Sequence, residues 1–438
     1  MTDPAAHTVL ILGAGLAGLV TAYHLHRQQC HVTLLDHPDW IEGFRLSPLD
    51  PAPNLLGCYQ ETNQLLLTLD RSQPLEPDRS IPLEFQLPDG RQVSYQSTRL
   101  PGAFQWMMSL FSFQGLAWQD RWKLFSHVEQ IWEQAETIPA DLENRTAQEW
   151  LAAIGQSPGA RELVWGPLAH WLTGNDVSRL SAATFVQVMS TVFLSDASDA
   201  RLTSLSGSVE QRFMAPIKQT LAHDHVEFRT LTAPPCLRFE ENGVRDVRLP
   251  DGTTTQAQWY VIALPHQQLR ALLPERLLTR FAYFAHVTEL HDLGEVLVQL
   301  TCRRAAQTPR LVLLPGRPFR QLAISPLESG TITCRLSGQT DSLTDLTDEQ
   351  LRGAAIGELN RTFPALTTTD VLTHDIVREQ HAALSLAPGT ARLRPLQQSP
   401  VPNLLVAGAW TDTGWPANLE SALVSARRCA KAIVDRPD

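Results

Sequence analysis

The feature that most limits the folds open to this chain lies near its start. "HTVLILGAGLAGLVTAYHLHRQQCHVTLLD", His7 to Asp36, joins an apolar run to a helical pattern through three glycines. Thr8–Leu12 is unbroken in its hydrophobicity, as expected of a strand buried on both faces of a parallel sheet. Leu16, Leu19, Val20 and Tyr23 then recur at helical spacing, and "HVTLLD" resumes as a second strand ending in Asp36. Strand, helix and strand in this order predict a βαβ unit and an α/β fold.

Each part of the turn Gly13-Ala14-Gly15-Leu16-Ala17-Gly18 has a physical task. Gly13 permits the tight turn, Gly15 lets the backbone approach a pyrophosphate, and Gly18 lets helix and strand pack closely. The helix start offers unpaired N–H groups and partial positive charge to phosphates. Asp36, about twenty positions further on, is placed to accept hydrogen bonds from ribose hydroxyls. The competing reading is a glycine-rich turn that binds nothing; strand, helix and acid in sequence argue against it. The unit predicts a dinucleotide without choosing between FAD and NAD.

A second strand–turn–helix closes the chain: "NLLVAGAWTDTGWPANLESALVSARRCAKAIV", Asn403 to Val434. Leu404–Ala407 reads as a buried strand. Leu419, Ala422, Leu423, Ala426, Ala430 and Ile433 then share one helix face. Pro416 is expected near the start of that helix, where a missing N–H costs nothing.

Together with the first turn, "LVAGAWTDTGWPANLESALVSARRCA" resembles the flavin-dependent amine oxidase/phytoene desaturase superfamily. Within it the chain looks most like the hydroxysqualene dehydroxylases, the squalene-associated FAD-dependent desaturases. "LLGCYQETNQLL", "LAWQDRWKL" and "WGPLAHWLTGNDVSRLSAATFVQVM" look like segments of the same branch. The resemblance implies an α/β fold with a Rossmann-like FAD-binding domain, glutathione-reductase-like and of amine-oxidase type. That domain would be interleaved with a mixed α+β substrate domain. Residues 1–60, 200–268 and 395–438 would form the first, and 61–199 and 269–394 the second.

The implied cofactor is FAD, carried over position by position. Gly13, Ala14, Gly15, Leu16, Ala17, Gly18 and Asp36 would hold the pyrophosphate and adenosine ribose. Arg45 matches the arginine of the family's GG-x-R-like run. Gly408, Ala409 and Trp410 would follow the ribityl chain, and Thr413, Gly414, Pro416, Ala417 and Leu419 would line the isoalloxazine. The strand near Phe228–Thr232 is expected to meet the adenine. The implied activity is oxidoreduction of a long apolar isoprenoid, first hydroxysqualene to squalene by hydride transfer from reduced flavin. Carotenoid desaturation, with hydride moving the other way, and amine oxidation are the alternatives. Three departures surround the expected cofactor: Ala409 stands where the family usually has an acid, Phe44 where it has a second glycine, and "SPLDPAPN" where it has a glycine- and histidine-containing loop. They keep open a non-enzymatic paralogue, without cofactor, acting as partner of an isoprenoid synthase.

Composition bounds the rest. The 438 residues suffice for two domains, and 36 Lys+Arg against 46 Asp+Glu, a formal charge of −10, argue against a nucleic-acid partner. No apolar run reaches the roughly 18–20 residues of a membrane span. The N-terminus has no basic region ahead of its apolar run, and that run is too short for a signal peptide, so none is expected. A cytoplasmic location is expected, with peripheral membrane contact open. "LPGAFQWMMSLFSFQGLAW", Leu100 to Trp118, reads either as a lipid-dipping segment or, preferred, as a core helix lining a substrate tunnel. "CRRAAQTPRLVLLPGRPFR", Cys302 to Arg320, holds Arg303, Arg304, Arg310, Arg317 and Arg320 with no acid. Anionic headgroups are one reading of these arginines, and the solvent face of two strands is the preferred one. Six scattered cysteines without a CxxC pair predict reduced thiols, and no metal spacing or GxSxG elbow occurs. His170 and Asp176 are candidate acids for a leaving hydroxyl, or satisfied structural residues; neither is assigned a catalytic role.

Overall fold

The computed structural model describes residues 7–38, 40, 54–69, 80–95, 103–127, 139, 141–196, 198–205, 207–241, 243–303, 308–326, 331–339 and 343–436. Five parallel strands form one sheet in the order Leu404–Val406, Trp259–Ile262, Thr8–Leu12, His31–Asp36, Glu227–Thr230. The strand Thr8–Leu12 sits at its centre, and Leu10, Ile11 and Leu12 are fully enclosed, as an unbroken apolar run requires. Because every pairing is parallel, the strand ends that feed the helices Leu16–Arg27 and Leu419–Val434 leave the sheet at the same edge. Those two helices pack against each other. The closing helix buries Ala422, Leu423, Ala426, Ala430 and Ile433, the face its periodicity predicts. At the crossing of first turn and first helix, a Cβ on Gly18 would stand 1.9 Å from the Gly13 carbonyl oxygen. Only glycine fits there.

A second sheet has seven strands: Val371–Leu384, Asp292–Cys302, Ile332–Gln339, Gln321–Pro326, Arg310–Leu313, Leu83–Gln86 and Gln92–Tyr95, in that order. All neighbours are antiparallel except Arg310–Leu313 with Leu83–Gln86. One face is closed by the helix Asp348–Thr362, whose Leu351, Ala355 and Leu359 join Val296, Val298 and Leu300 in a separate core. Strand alternation therefore turns Glu295, Leu297 and Gln299 to the other face.

Several local expectations are corrected. Between residues 115 and 160 the described residues hold the separate helices Trp118–Ser126, Leu142–Asn144, Ala147–Ala153 and Pro158–Ala160. A capping box on Thr146 starts the helix Ala147–Ala153, and Gly155, at a positive φ of 79°, follows its end. Pro416 lies ahead of the closing helix, because Asn418 takes the N-cap and Leu419 is the first helical residue. The arginine-bearing stretch meets acids from elsewhere in the chain: Arg310 Nε donates to Glu84 Oε1 at 2.8 Å, and buried Arg317 pairs with Glu358. Arg320 lies 3.9 Å from Asp176. Arg310 and Arg317 are thus committed to internal carboxylates rather than to headgroups or open solvent. Arg304 lies outside the described residues. Among the described residues no helix is long and apolar enough to cross a membrane.

Candidate active site

A cavity of about 420 Å³ lies at the sheet edge where the two turns meet. Gly13, Ala14, Gly15, Leu16, Ala17 and Asp36 bound it on one side, and Gly408, Ala409, Trp410, Ala417 and Leu419 on the other. Gly13 and Gly408, 408 − 13 = 395 positions apart in the chain, thus bound one cavity, because a single strand separates theirs in the sheet. Gly18 lies behind the turn, against Gly13. Thr413 and Gly414 are off this wall: the Thr413 hydroxyl is 2.6 Å from Ser421 Oγ, and Gly414 faces Gln187. Pro416 is off it too. The strand Glu227–Thr230 edges the sheet with Phe228 exposed and does not bound the cavity. Arg45, Phe44 and nearly all of "SPLDPAPN" lie outside the described residues. His37, Trp40 and Lys218, which the sequence did not single out, complete the cavity's first side.

The first turn is built to receive an anion. The helix Leu16–Arg27 begins at Gly15 with no side-chain cap and no acid in its first turn. Its leading N–H groups therefore remain for a ligand, backed by the helix dipole. Asp36 stands across the turn, where Oδ1 accepts the Ala14 N–H at 3.3 Å.

The closing turn is held by side chains that no motif announced. Arg394 donates to four backbone carbonyls of that turn: Trp415 at 2.7 Å, Thr411 at 2.6 Å, Ala409 at 3.1 Å and Trp410 at 3.2 Å. Burial pushes its guanidinium pKa down to about 10. Ser421 Oγ adds a second bond to the Ala409 carbonyl at 2.8 Å, so the position that departs from the family pattern is fixed through its backbone. Trp410 Nε1 donates to the Leu264 carbonyl at 2.9 Å, tying the turn to the neighbouring strand's end. The helix start itself is capped: Asn418 Oδ1 accepts the Ser421 N–H at 2.9 Å. Next to it, Glu420 accepts the N–H groups of Glu61 and Thr62, each at 2.9 Å, and the Thr62 hydroxyl at 2.7 Å. This carboxylate joins the closing helix to the helix Gln60–Leu69, and burial pushes its pKa up.

Two further spaces adjoin. A chamber of about 180 Å³ shares Ala382, Ala417 and Asn418 with the large cavity and is walled by His170 and Glu295. His170 Nε2 lies 3.7 Å from Glu295 Oε1. Asp176 instead accepts the N–H and hydroxyl of Ser178 at 2.9 and 2.8 Å, a local turn cap away from these walls. Beyond the helix Gly166–Thr173 is an apolar pocket of about 100 Å³, walled by Phe85, Phe113, Trp150, Trp165 and Phe185 among others. The Leu100–Trp118 stretch divides its roles: Leu110, Phe113 and Leu116 line this pocket, while Met108 and Trp118 are exposed.

Comparisons with known proteins bear on the fold and the family. The model of the flavin containing amine oxidoreductase family matches residues 48–434, and that of the NAD(P)-binding Rossmann-like domain matches residues 11–41. Zeta-carotene desaturase of Synechocystis sp. is 22% identical, covering 97% of each chain. The 15-cis-phytoene desaturase of Solanum lycopersicum is 22% identical over 97% of this chain and 77% of its own. Putrescine oxidase bound to putrescine superposes with a TM-score of 0.71 at 14% identity, over 99% of this chain and 100% of that one. An oxidoreductase from Methanosarcina mazei gives 0.68 at 12% identity, over 98% and 100%. The structural likenesses carry the fold, and the family match spans most of the sequence. The chain belongs to the flavin containing amine oxidoreductase family and is a flavin-dependent oxidoreductase.

Proposed function

We propose that the chain binds FAD between its two turns and acts on a long apolar isoprenoid, with hydroxysqualene, reduced to squalene, the favoured substrate. The single cavity bounded by both turns carries the reading, because a dinucleotide and a flavin ring need those two ends at once. The residues present fit the group. The uncapped helix start and glycine turn suit a pyrophosphate, Asp36 suits a ribose, and the apolar wall of Ala409, Ala417 and Leu419 suits a flat ring. When bound, FAD supplies the redox chemistry. The chain's own contribution is to orient substrate and exclude water: the aromatic pocket of Phe85, Trp150, Trp165 and Phe185 has the character an isoprenoid chain requires.

Exposed Met108, Trp118 and Trp122 stand on the two helices that also supply Leu110 and Leu124 to that pocket. They support peripheral contact with a lipid surface, from which such a substrate would enter. Carotenoid desaturation is the second reading, favoured by the names of the curated relatives.

Two assays test the proposal. The freshly purified protein should be yellow, bleach under dithionite and release FAD on denaturation; a colourless protein that takes up no added FAD overturns the cofactor reading. Incubation with hydroxysqualene under reducing conditions should yield squalene. Turnover of phytoene alone, under oxidising conditions, would replace the first substrate with the second.

A further inference from the structure

The inner face of the seven-stranded sheet carries polar side chains that the proposed FAD contacts do not use. Alternation along Asp292–Cys302 directs Glu295 and Gln299 there, and the neighbouring strands add Arg335, Ser337 and Gln321. Register sets Gln299 opposite Arg335, and Gln321 opposite Ser337. Burying polar groups is unfavourable unless something satisfies them. Here the chain does not satisfy them all. His170 Nδ1, Gln299 Oε1 and Gln321 Oε1 are buried and have no hydrogen-bond partner. Native interiors leave few such atoms, and two of these three residues, His170 and Gln321, face one chamber and ask for a ligand. His170 is only 7% exposed, and it bounds the chamber together with Glu295 and Gln321. Through Ala417 and Asn418 that chamber meets the wall assigned to the flavin ring. Leu168, on the helix that carries His170, lines the apolar pocket.

We propose that this chamber seats the hydroxyl group of an otherwise apolar substrate, with His170 and Glu295 as its polar anchor. The inference rests on the isoprenoid reading above and adds the group recognised. A hydroxyl donates one hydrogen bond and accepts others, so it can donate to the Gln321 amide oxygen and pair with His170 Nδ1, two groups that line this chamber. An ammonium fits less well. Burial alone would push the Glu295 carboxyl up, yet the neighbouring His170, helped by Ser337 and Arg335, holds it below its ordinary value. The carboxylate therefore already has Arg335 as a positive neighbour. A hydrocarbon leaves every one of these atoms unsatisfied.

The test is binding, read by quenching of intrinsic tryptophan fluorescence, since Trp150 and Trp165 line the pocket. The probes are farnesol, farnesene and farnesylamine, titrated into the full chain with its flavin content measured in the same samples. Farnesol should bind about 10- to 100-fold tighter than farnesene, the range for a hydrogen bond to a charged group. His170→Phe and the isosteric Glu295→Gln should each reduce that ratio by about tenfold while leaving farnesene affinity and flavin content unchanged. His170→Gln, which keeps hydrogen-bonding atoms, should recover part of the preference. Equal affinity for farnesol and farnesene, or a preference that survives in both His170→Phe and Glu295→Gln, overturns the anchor. Tighter binding of farnesylamine than farnesol overturns the hydroxyl assignment. A chain that prefers farnesol yet takes up no FAD supports the anchor and sinks the redox reading, so the two failures are distinguishable.

Discussion

The two strand–turn–helix units that meet at the cavity begin their helices in opposite ways. At the first, the helix starts on Gly15 with no side-chain cap and no acid in its first turn. At the second, Asn418 caps the helix, Glu420 is in its first turn, and Arg394 holds four carbonyls of the turn that leads to it. Leaving a helix start uncapped costs about 1 kcal/mol. Such a cost is sustained where a bound anion satisfies the donors instead. The capped start has its Ser421 N–H occupied by Asn418 and shows the cavity Ala417, Leu419 and Ala422. In the proposed complex the phosphates belong to the first unit and the ring to the second.

Four substitutions break or sharpen that contrast. Gly18→Val should have the largest effect, because its Cβ would lie 1.9 Å from the Gly13 oxygen and force the turn open. FAD uptake should vanish; retained uptake would remove the first turn from the phosphate site. Arg394→Met strips four carbonyls of their common donor and should lower stability by about 3 kcal/mol in urea unfolding. A loss below that of an ordinary surface change would mean water replaces the guanidinium freely. Asp36→Ala should weaken FAD binding by about 10- to 100-fold in a titration. Asn418→Ala should cost about 1 kcal/mol of stability with little change in FAD affinity. If its effect on affinity instead matched that of Asp36→Ala, the division of labour between the two helix starts would fail.

What could be read from the sequence follows the range of the interactions. The first unit is local: apolar run, glycines, helical spacing and Asp36 fall within one short stretch, so both the fold class and its share of the cavity were legible. The face of the closing helix was legible for the same reason, through Ala422, Ala426 and Ala430. Pro416 misled because proline signals a helix start, while Asn418 two residues later offered the stronger cap. Arg394 gave no signal, since its partners are carbonyls that exist as a cluster only once the turn has folded. The arginines of Cys302–Arg320 looked unpaired because Glu84, Asp176 and Glu358 lie far away in sequence. Glu295 was invisible as a site residue for a related reason. A polar residue alternating along a strand reads as solvent-facing until what packs on that face is known.

The central claim is that one flavin dinucleotide spans both units. Hydrogen–deuterium exchange with and without added FAD tests it most directly, read at the segments Gly13–Gly18 and Gly408–Leu419. The account predicts that FAD slows exchange in both segments together, with matching dependence on its concentration. Protection confined to one of them, or to neither, would contradict it.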